Sequence, residues 1–246
     1  MMNMVSGGQT FYGFDIGIIM LDTKFPRIIG DIGNAHTFSF PVLYDKVIGW
    51  KPEKVVLDLK KQDIEPFIKS AKRLEDAGCR IITTSCGFLS MFQEELSNSV
   101  NVSVFTSALL MAPMIKRTIA SCKKVCILTA NKKTLTEVHL KGAGIDKDNY
   151  VIYGLEKEKN FTNFTVQNWE KVDIDECRKE LKQVTLNALE ENSNIGAILL
   201  ECTNMPPYAK EIQEIAKLPV YDIISLLYLA RESINKVDYS GRYNSF

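Results

Sequence analysis

"DAGCRIITTSCGFLSMFQEEL", residues 76–96, runs from a helix end into a short apolar strand, a hydroxyl-rich turn carrying a cysteine, and the start of another helix. Gly78 stands where a helix C-cap favours glycine, just before the apolar Ile81 and Ile82. A second stretch, "NIGAILLECTNMPPYAKEIQEI" at residues 194–215, repeats the order of apolar run, polar turn with cysteine, and amphipathic segment. Cys86 and Cys202 are separated by close to half the chain, which fits two similar lobes that share a cleft.

The rest of the chain follows the same alternation, and short runs rich in Val, Ile and Leu between longer amphipathic stretches read as parallel βα units. Strands are expected at 14–21, 54–57, 80–84, 102–106, 125–129, 150–153, 195–200 and 220–221. Helices are expected at 63–77, 88–96, 107–121, 132–141, 173–191, 207–217 and 223–235. In the first of these helices Ile64, Phe67, Ile68, Ala71 and Leu74 recur every three or four residues, the spacing of one buried face. The polar, aromatic and aperiodic segment 156–172 reads as a long surface loop. The fold class is therefore α/β, with two pseudo-symmetric lobes, each a mostly parallel sheet flanked by helices, and the active site between them.

Composition narrows the partner. Thirty Lys plus Arg balance thirty Asp plus Glu over 246 residues, so no net field draws the chain to nucleic acid or to an anionic membrane. No apolar stretch reaches the ~20 residues needed to span a bilayer, and the first residues lack the basic start and long apolar segment of a secretory signal. A cytoplasmic protein with a small-molecule partner is expected, with a homodimer allowed for. Six cysteines scattered through a chain of this size read as free thiols rather than a disulfide framework. "CKKVC" at 122–126 has no second ligand pair, so no metal site is expected there.

Position gives two of the thiols chemical content. A residue just after a parallel strand lies at the carboxyl edge of the sheet, where open α/β folds hold their ligands. Cys86 and Cys202 both sit there, each before an expected helix, whose N–H groups and dipole would lower a thiol below its free value of about 8.5. Thr83, Thr84, Ser85, Thr203 and Asn204 surround them with short donors and acceptors suited to a carboxylate or amide. A lone cysteine after a strand is ordinarily a small core residue, which is the reading for Cys79 and Cys126, while Cys122 and Cys177 fall on helices. The matching placement of Cys86 and Cys202 sets them apart.

"TTSCGFLS", "LLECTNMPPY" and, near the start, "IGIIMLDTKFPRIIGDIGN" resemble the aspartate/glutamate/hydantoin racemase superfamily over most of the chain. The resemblance implies two α/β lobes, with residues 1–110 and 220–246 forming a discontinuous first lobe and 111–219 the second. It implies cofactor-independent racemisation or epimerisation of an amino acid or related small carboxylate, in which one cysteine thiolate takes the proton alpha to a carboxyl group and the other thiol delivers one to the opposite face. Inversion needs a base and an acid on opposite faces, which no single side chain supplies. Negative charge developing on the carboxylate would be met by N–H groups at Gly87 and Thr203 and by hydroxyls at Thr84, Ser85 and Thr203. Asp22, at the end of the first strand, would orient a thiol or receive a substrate ammonium, and the Gly30–Asn34 loop would approach the ligand.

Departures from the family pattern bear on substrate. Glutamate racemases typically follow the first cysteine with Asn-Thr and the second with Thr-His, whereas this chain has Gly87-Phe88 and Thr203-Asn204. Asn204 cannot exchange a proton near neutral pH, which speaks against a dedicated glutamate racemase. Of the two histidines, His139 is expected on the surface of an amphipathic helix. Glu201 raises the thiol pKa if it points toward Cys202. On the same scaffold the alternatives are a decarboxylase or cis-trans isomerase of a dicarboxylic acid, or a non-catalytic small-acid-binding protein.

Overall fold

The computed structural model describes Met4 and residues 6–238. Its first parallel sheet consists of β1 (Ile16–Leu21), β2 (Val42–Val47), β3 (Ile81–Thr84) and β4 (Ser103–Phe105), in the order β2-β1-β3-β4. The second consists of β5 (Lys124–Thr129), β6 (Tyr150–Gly154), β7 (Ile195–Leu200) and β8 (Val220–Tyr221), in the order β6-β5-β7-β8. The two orders are the same pattern, so β1 corresponds to β5 and β3 to β7. All six residues of β1 are buried, as a central parallel strand covered on both faces requires.

Helices cover the sheets. In the first lobe these are α1 (Pro52–Asp58), α2 (Glu65–Asp76) and α3 (Gln93–Asn98), followed by the crossover helix α4 (Ala112–Thr118). The second lobe carries α5 (Glu137–Gly142), α6 (Lys159–Thr165), α7 (Ile174–Glu191) and α8 (Ala209–Ala216), and α9 (Ile223–Ile234) ends the described chain. Phe67, Ala71 and Leu74 of α2 are buried as their spacing predicts. Asp173 caps α7, accepting from the N–H groups of Asp175 and Glu176, and Asp222 caps α9 through Ser225.

Several expectations change. Residues 54–57 are helical: Pro52 starts the helix and buries with Val55 and Val56, an i, i+3, i+4 set that a four-residue window reads as a strand. The edge strand β2 was hidden by its mixed composition, since Asp45 and Lys46 break the apolar run. Segment 156–172 contains α6, whose Phe161 and Phe164 are buried. β8 stays in the second sheet, paired with β7, because only Lys217, Leu218 and Pro219 separate it from the end of α8. Only α9 returns to the first lobe. There Tyr228 packs on Phe40 with ring centroids 5.2 Å apart, Arg231 faces Asp15 at 3.4 Å, and Arg80 donates to the carbonyl of Ile234. The first lobe as expected from sequence thus cedes residues 220–221, and its extreme ends, 1–3, 5 and 239–246, lie outside the described residues.

The carboxyl edges of the sheets meet at a tight seam. Thr203 Oγ1 donates to the carbonyl of Ser85 at 2.6 Å, and Ser90 Oγ donates to that of His139 at 3.1 Å. Gly30, with φ +101°, lies so close to Pro207 that an added Cβ would stand 2.8 Å from the proline Cα. Gly49 has φ +80° but open space around it. Gly49→Ala is expected to cost about 1–2 kcal/mol for the left-handed backbone alone. Gly30→Ala adds an overpacking cost of about 1–3 kcal/mol, measurable as a lower urea midpoint. Equal costs for the two variants would show that the seam yields freely.

Candidate active site

Each cysteine occupies the same place in its lobe. Cys86 ends the extended backbone after β3 and starts a 3-10 turn, Gly87–Phe92, and Cys202 follows β7 ahead of a 3-10 turn at Pro206–Tyr208. Each sulfur is approached by the backbone N–H two residues on, Phe88 for Cys86 and Asn204 for Cys202. The two thiols lie close enough that the charge of one bears on the other, and both line one narrow pocket at the seam. Ser85, Gly87, Thr203 and Asn204 line it with them.

The loop after β1 supplies the pocket's cation. Arg27 reaches in from the first lobe, stacked over Phe25 at 4.6 Å, and donates to Asp31 Oδ1 at 2.6 Å and to Thr23 Oγ1 at 3.0 Å. Asp31, 1% exposed, also accepts from the N–H of Gly33 and, at 2.6 Å, from Asn204 Nδ2. That contact fixes the amide's orientation and leaves Asn204 Oδ1 to accept the Cys202 thiol at 3.6 Å. A continuous chain Cys202–Asn204–Asp31–Arg27 therefore ties the lobes together across the pocket. A Cβ on Gly33 would fall 2.2 Å from the Arg27 Cδ, so the "GDIGN" glycine makes room for the arginine.

Glu201 is the least expected member. It is 1% exposed, lines the pocket, accepts from Thr129 Oγ1 at 2.7 Å through Oε2, and is held also by the N–H of Ala130. Its Oε1 is buried without a partner. Burial raises its pKa to about 7. Burial also pushes the Cys86 thiol up to about 12, with the nearby Glu201 charge adding, and drives Cys202 well above its ordinary value for the same two reasons. The expected lowering by helix ends is overturned: 3-10 turns carry little of an α-helix dipole, and desolvation outweighs the local N–H groups. Ionising a thiol of pKa about 12 at pH 7 costs about 7 kcal/mol, so both cysteines rest as thiols.

Two expected residues lie elsewhere. Asp22 is absent from the pocket lining; its carboxylate accepts from the Gly49 N–H at 3.0 Å and pairs with Lys46 at 3.4 Å. Thr84 is fully buried behind the turn, its hydroxyl donating to the carbonyls of Thr106 and Cys86, so it shapes the loop rather than meeting a ligand. Thr203 and Ser85 do line the pocket, but the Thr203 hydroxyl proton is given to the Ser85 carbonyl and the Ser85 hydroxyl accepts from the Leu21 N–H. His139 is buried, not exposed: it packs edge-on against Phe88 at 5.1 Å and burial lowers its pKa to about 4. Sequence reading missed Arg27, Asp31 as its partner, and Thr165, which reaches the pocket from α6. The i, i+3 pair Phe161 and Phe164 was the available signal for α6; Phe164 packs on Phe25 at 4.8 Å. Among the described residues no group of three or more His, Cys, Asp or Glu could hold a metal ion, and no helix is long and apolar enough to cross a membrane.

Glu201 links stability to pH. Its carboxyl holds a proton more tightly in the fold, at about 7, than its ordinary value of 4.5 allows in an unfolded chain. The stability this contributes is complete below 4.5 and is lost as pH rises through 7, about 3 kcal/mol in all. Melting curves from pH 5 to 8 are expected to show wild type losing stability relative to Glu201→Gln over that window. Parallel curves would show that Glu201 ionises normally.

Known proteins place this arrangement. The sequence profile of the Asp/Glu/Hydantoin racemase family matches residues 57–228, a span that holds both cysteine turns. Dimethylsulfoniopropionate lyase from Durusdinium sp. clade D is 30% identical over 216 residues, 85% of this chain and 71% of that protein. Dimethylsulfoniopropionate lyase 3 of Emiliania huxleyi (strain CCMP1516) is 30% identical over 85% of this chain, which spans only 57% of that protein's length. The fold is that of Picrophilus torridus aspartate racemase (TM-score 0.55, 16% identity, 93% of this chain and 98% of that one). It is likewise that of unliganded arylmalonate decarboxylase (TM-score 0.57, 15% identity, 91% and 94%). With the matching profile covering both halves of the seam, this chain belongs to the Asp/Glu/Hydantoin racemase family.

Proposed function

We propose that the chain is a cofactor-independent lyase that removes the proton alpha to the carboxylate of a small sulfonium carboxylate of the dimethylsulfoniopropionate type and expels dimethyl sulfide. The observation that carries this reading is the convergence of Cys86 and Cys202 on one pocket beside Arg27, in a chain whose 30%-identical relatives bear that lyase name. The other site residues take their parts from position.

Cys86 is the better base of the two. Arg27 lowers its pKa, whereas Cys202 feels Asp31 in addition to Glu201 and its thiol is engaged with Asn204. Once ionised, the Cys86 thiolate takes the proton from the alpha carbon. The C–H electron pair becomes the new double bond, the bond from the beta carbon to sulfur breaks with its pair moving to sulfur, and dimethyl sulfide and acrylate leave. Cys202 remains a thiol with its S–H given to Asn204 Oδ1, and the charge that develops on the enediolate-like carboxylate is met by Arg27. Arg27 has five N–H donors, of which Asp31 and Thr23 engage two, and the remainder serve the substrate carboxylate. Gly87 and Thr203 bring backbone to the same wall.

A second reading, racemisation or epimerisation of an amino acid or small carboxylate, is favoured by the presence of a second thiol, which elimination does not need as a proton donor to carbon. The two are separated by incubating the protein in deuterium oxide with dimethylsulfoniopropionate and, separately, with a panel of L-amino acids. Headspace gas chromatography and proton NMR are expected to show dimethyl sulfide and acrylate, with Cys86→Ser lowering the rate by roughly 10²-fold or more. Cys202→Ser is expected to lower it by a smaller factor. Alpha-deuteration with loss of handedness in an amino acid, and no dimethyl sulfide, would replace this reading with the second.

A further inference from the structure

The pocket contains one buried side-chain acceptor that no group among the described residues claims. Glu201 Oε1 has no hydrogen-bond partner, although the other oxygen of the same carboxyl is held by Thr129 and the group is almost wholly buried. The space beside Oε1 depends on a glycine: a Cβ on Gly87 would stand 2.1 Å from it. Ser85, which holds the equivalent position before the first cysteine, is by contrast satisfied by the Leu21 N–H. Arg27 does not neutralise Glu201, because its ion pair goes to Asp31.

We propose that Glu201 recognises a methylated onium group on the substrate, so that the pocket selects zwitterions carrying a carboxylate and a fixed positive charge. This rests on the lyase reading of the same site and names the residue that gives it specificity. A primary ammonium would bring three N–H donors, each needing an acceptor. Among the described residues Oε1 is the buried side-chain oxygen of this pocket that has no hydrogen bond, one site for three donors. A sulfonium or quaternary ammonium brings no donor. It needs a buried negative charge and apolar walls for its methyl groups, which Phe25, Phe88, Pro52 and Val56 provide. Its positive charge also offsets the Glu201 charge that opposes ionisation of Cys86.

The test uses a pair of unreactive ligands of nearly equal shape, the zwitterion 3-(trimethylammonio)propionate and the carboxylate 4,4-dimethylpentanoate, in which a neutral tert-butyl group replaces the onium, titrated calorimetrically into the full chain. At pH 8 the wild-type protein is expected to bind the zwitterion at least about tenfold more tightly than the isostere, and Glu201→Gln is expected to abolish that preference. As pH falls from 8 to 6 the wild-type preference is expected to shrink, because protonating Glu201 removes the counter-charge. The groups facing that carboxyl are Thr129 and the Ala130 N–H on one side and Cys86 and Cys202 on the other, with the Arg27–Asp31 pair in the same pocket. The wild-type titration decides the matter by itself if the variant does not fold. Equal binding of the two ligands, failure of both to bind, a preference independent of pH, or a preference retained by a folded Glu201→Gln each overturns the inference. Dimethyl sulfide release without the preference would sink the role of Glu201 alone, and the preference without dimethyl sulfide release would sink the lyase reading alone.

Discussion

Removing water from the seam between two sheet edges is the constraint on which the rest of the molecule depends. Backbone and side-chain groups at the carboxyl ends of parallel strands are polar, and once two such edges close on each other each group must find a partner across the gap or remain unsatisfied at a cost of about 1–3 kcal/mol. The protein meets this with bonds that cross the seam: Thr203 to Ser85, Asn204 to Asp31, Ser90 to His139. Each joins the first lobe to the second, so the polar contacts that complete the pocket also hold the lobes in register. The glycines at 30, 33 and 87 belong to the same solution, since a side chain at any of them would occupy space taken by Pro207, Arg27 or Glu201.

The same desolvation decides the acid–base character of the site. Both thiols are held in their protonated form, and charges one residue away set the difference between them. Glu201 opposes ionisation of both; Arg27 favours that of Cys86, and Asp31 adds to the opposition at Cys202. The cysteines that sequence reading assigned to the strand core, Cys79 and Cys126, are raised by burial as well, with the Asp15 charge adding at Cys79, and neither lines the pocket.

The fold was legible because parallel strands buried on both faces write themselves as apolar runs, and the glycine and proline signals at Gly78 and Pro207 bounded them. Edge and peripheral elements were not. β2 is half polar because one face looks outward, and α1 is too short for its period to show against a four-residue apolar run. The two cysteines could be found from their place after β3 and β7. The loop that carries Asp31 was expected at the cleft, but Arg27 and its pairing with Asp31 could not be found, because an ion pair four residues apart in a loop has the same composition whether it faces water or a pocket. Asp22 looked better placed by position alone, yet a positive-φ glycine at 49 offers its N–H to that carboxylate and draws it away. His139 shows the reverse error: Val138 of the same helix is exposed, and the histidine buries because Phe88, from the other lobe, supplies an aromatic face for it.

The two halves of the molecule share one strand order, but their cysteine turns differ on both sides of the sulfur: Ser85 against Glu201 before it, and Gly87-Phe88 against Thr203-Asn204 after it. A twofold arrangement with identical walls would treat the paired hydrogens of a methylene group alike. With serine behind one sulfur and a carboxyl behind the other, a molecule carrying unlike ends can lie in the groove in only one sense, and the two hydrogens become inequivalent. Unlike side chains at several duplicated positions thus give the cradle a direction.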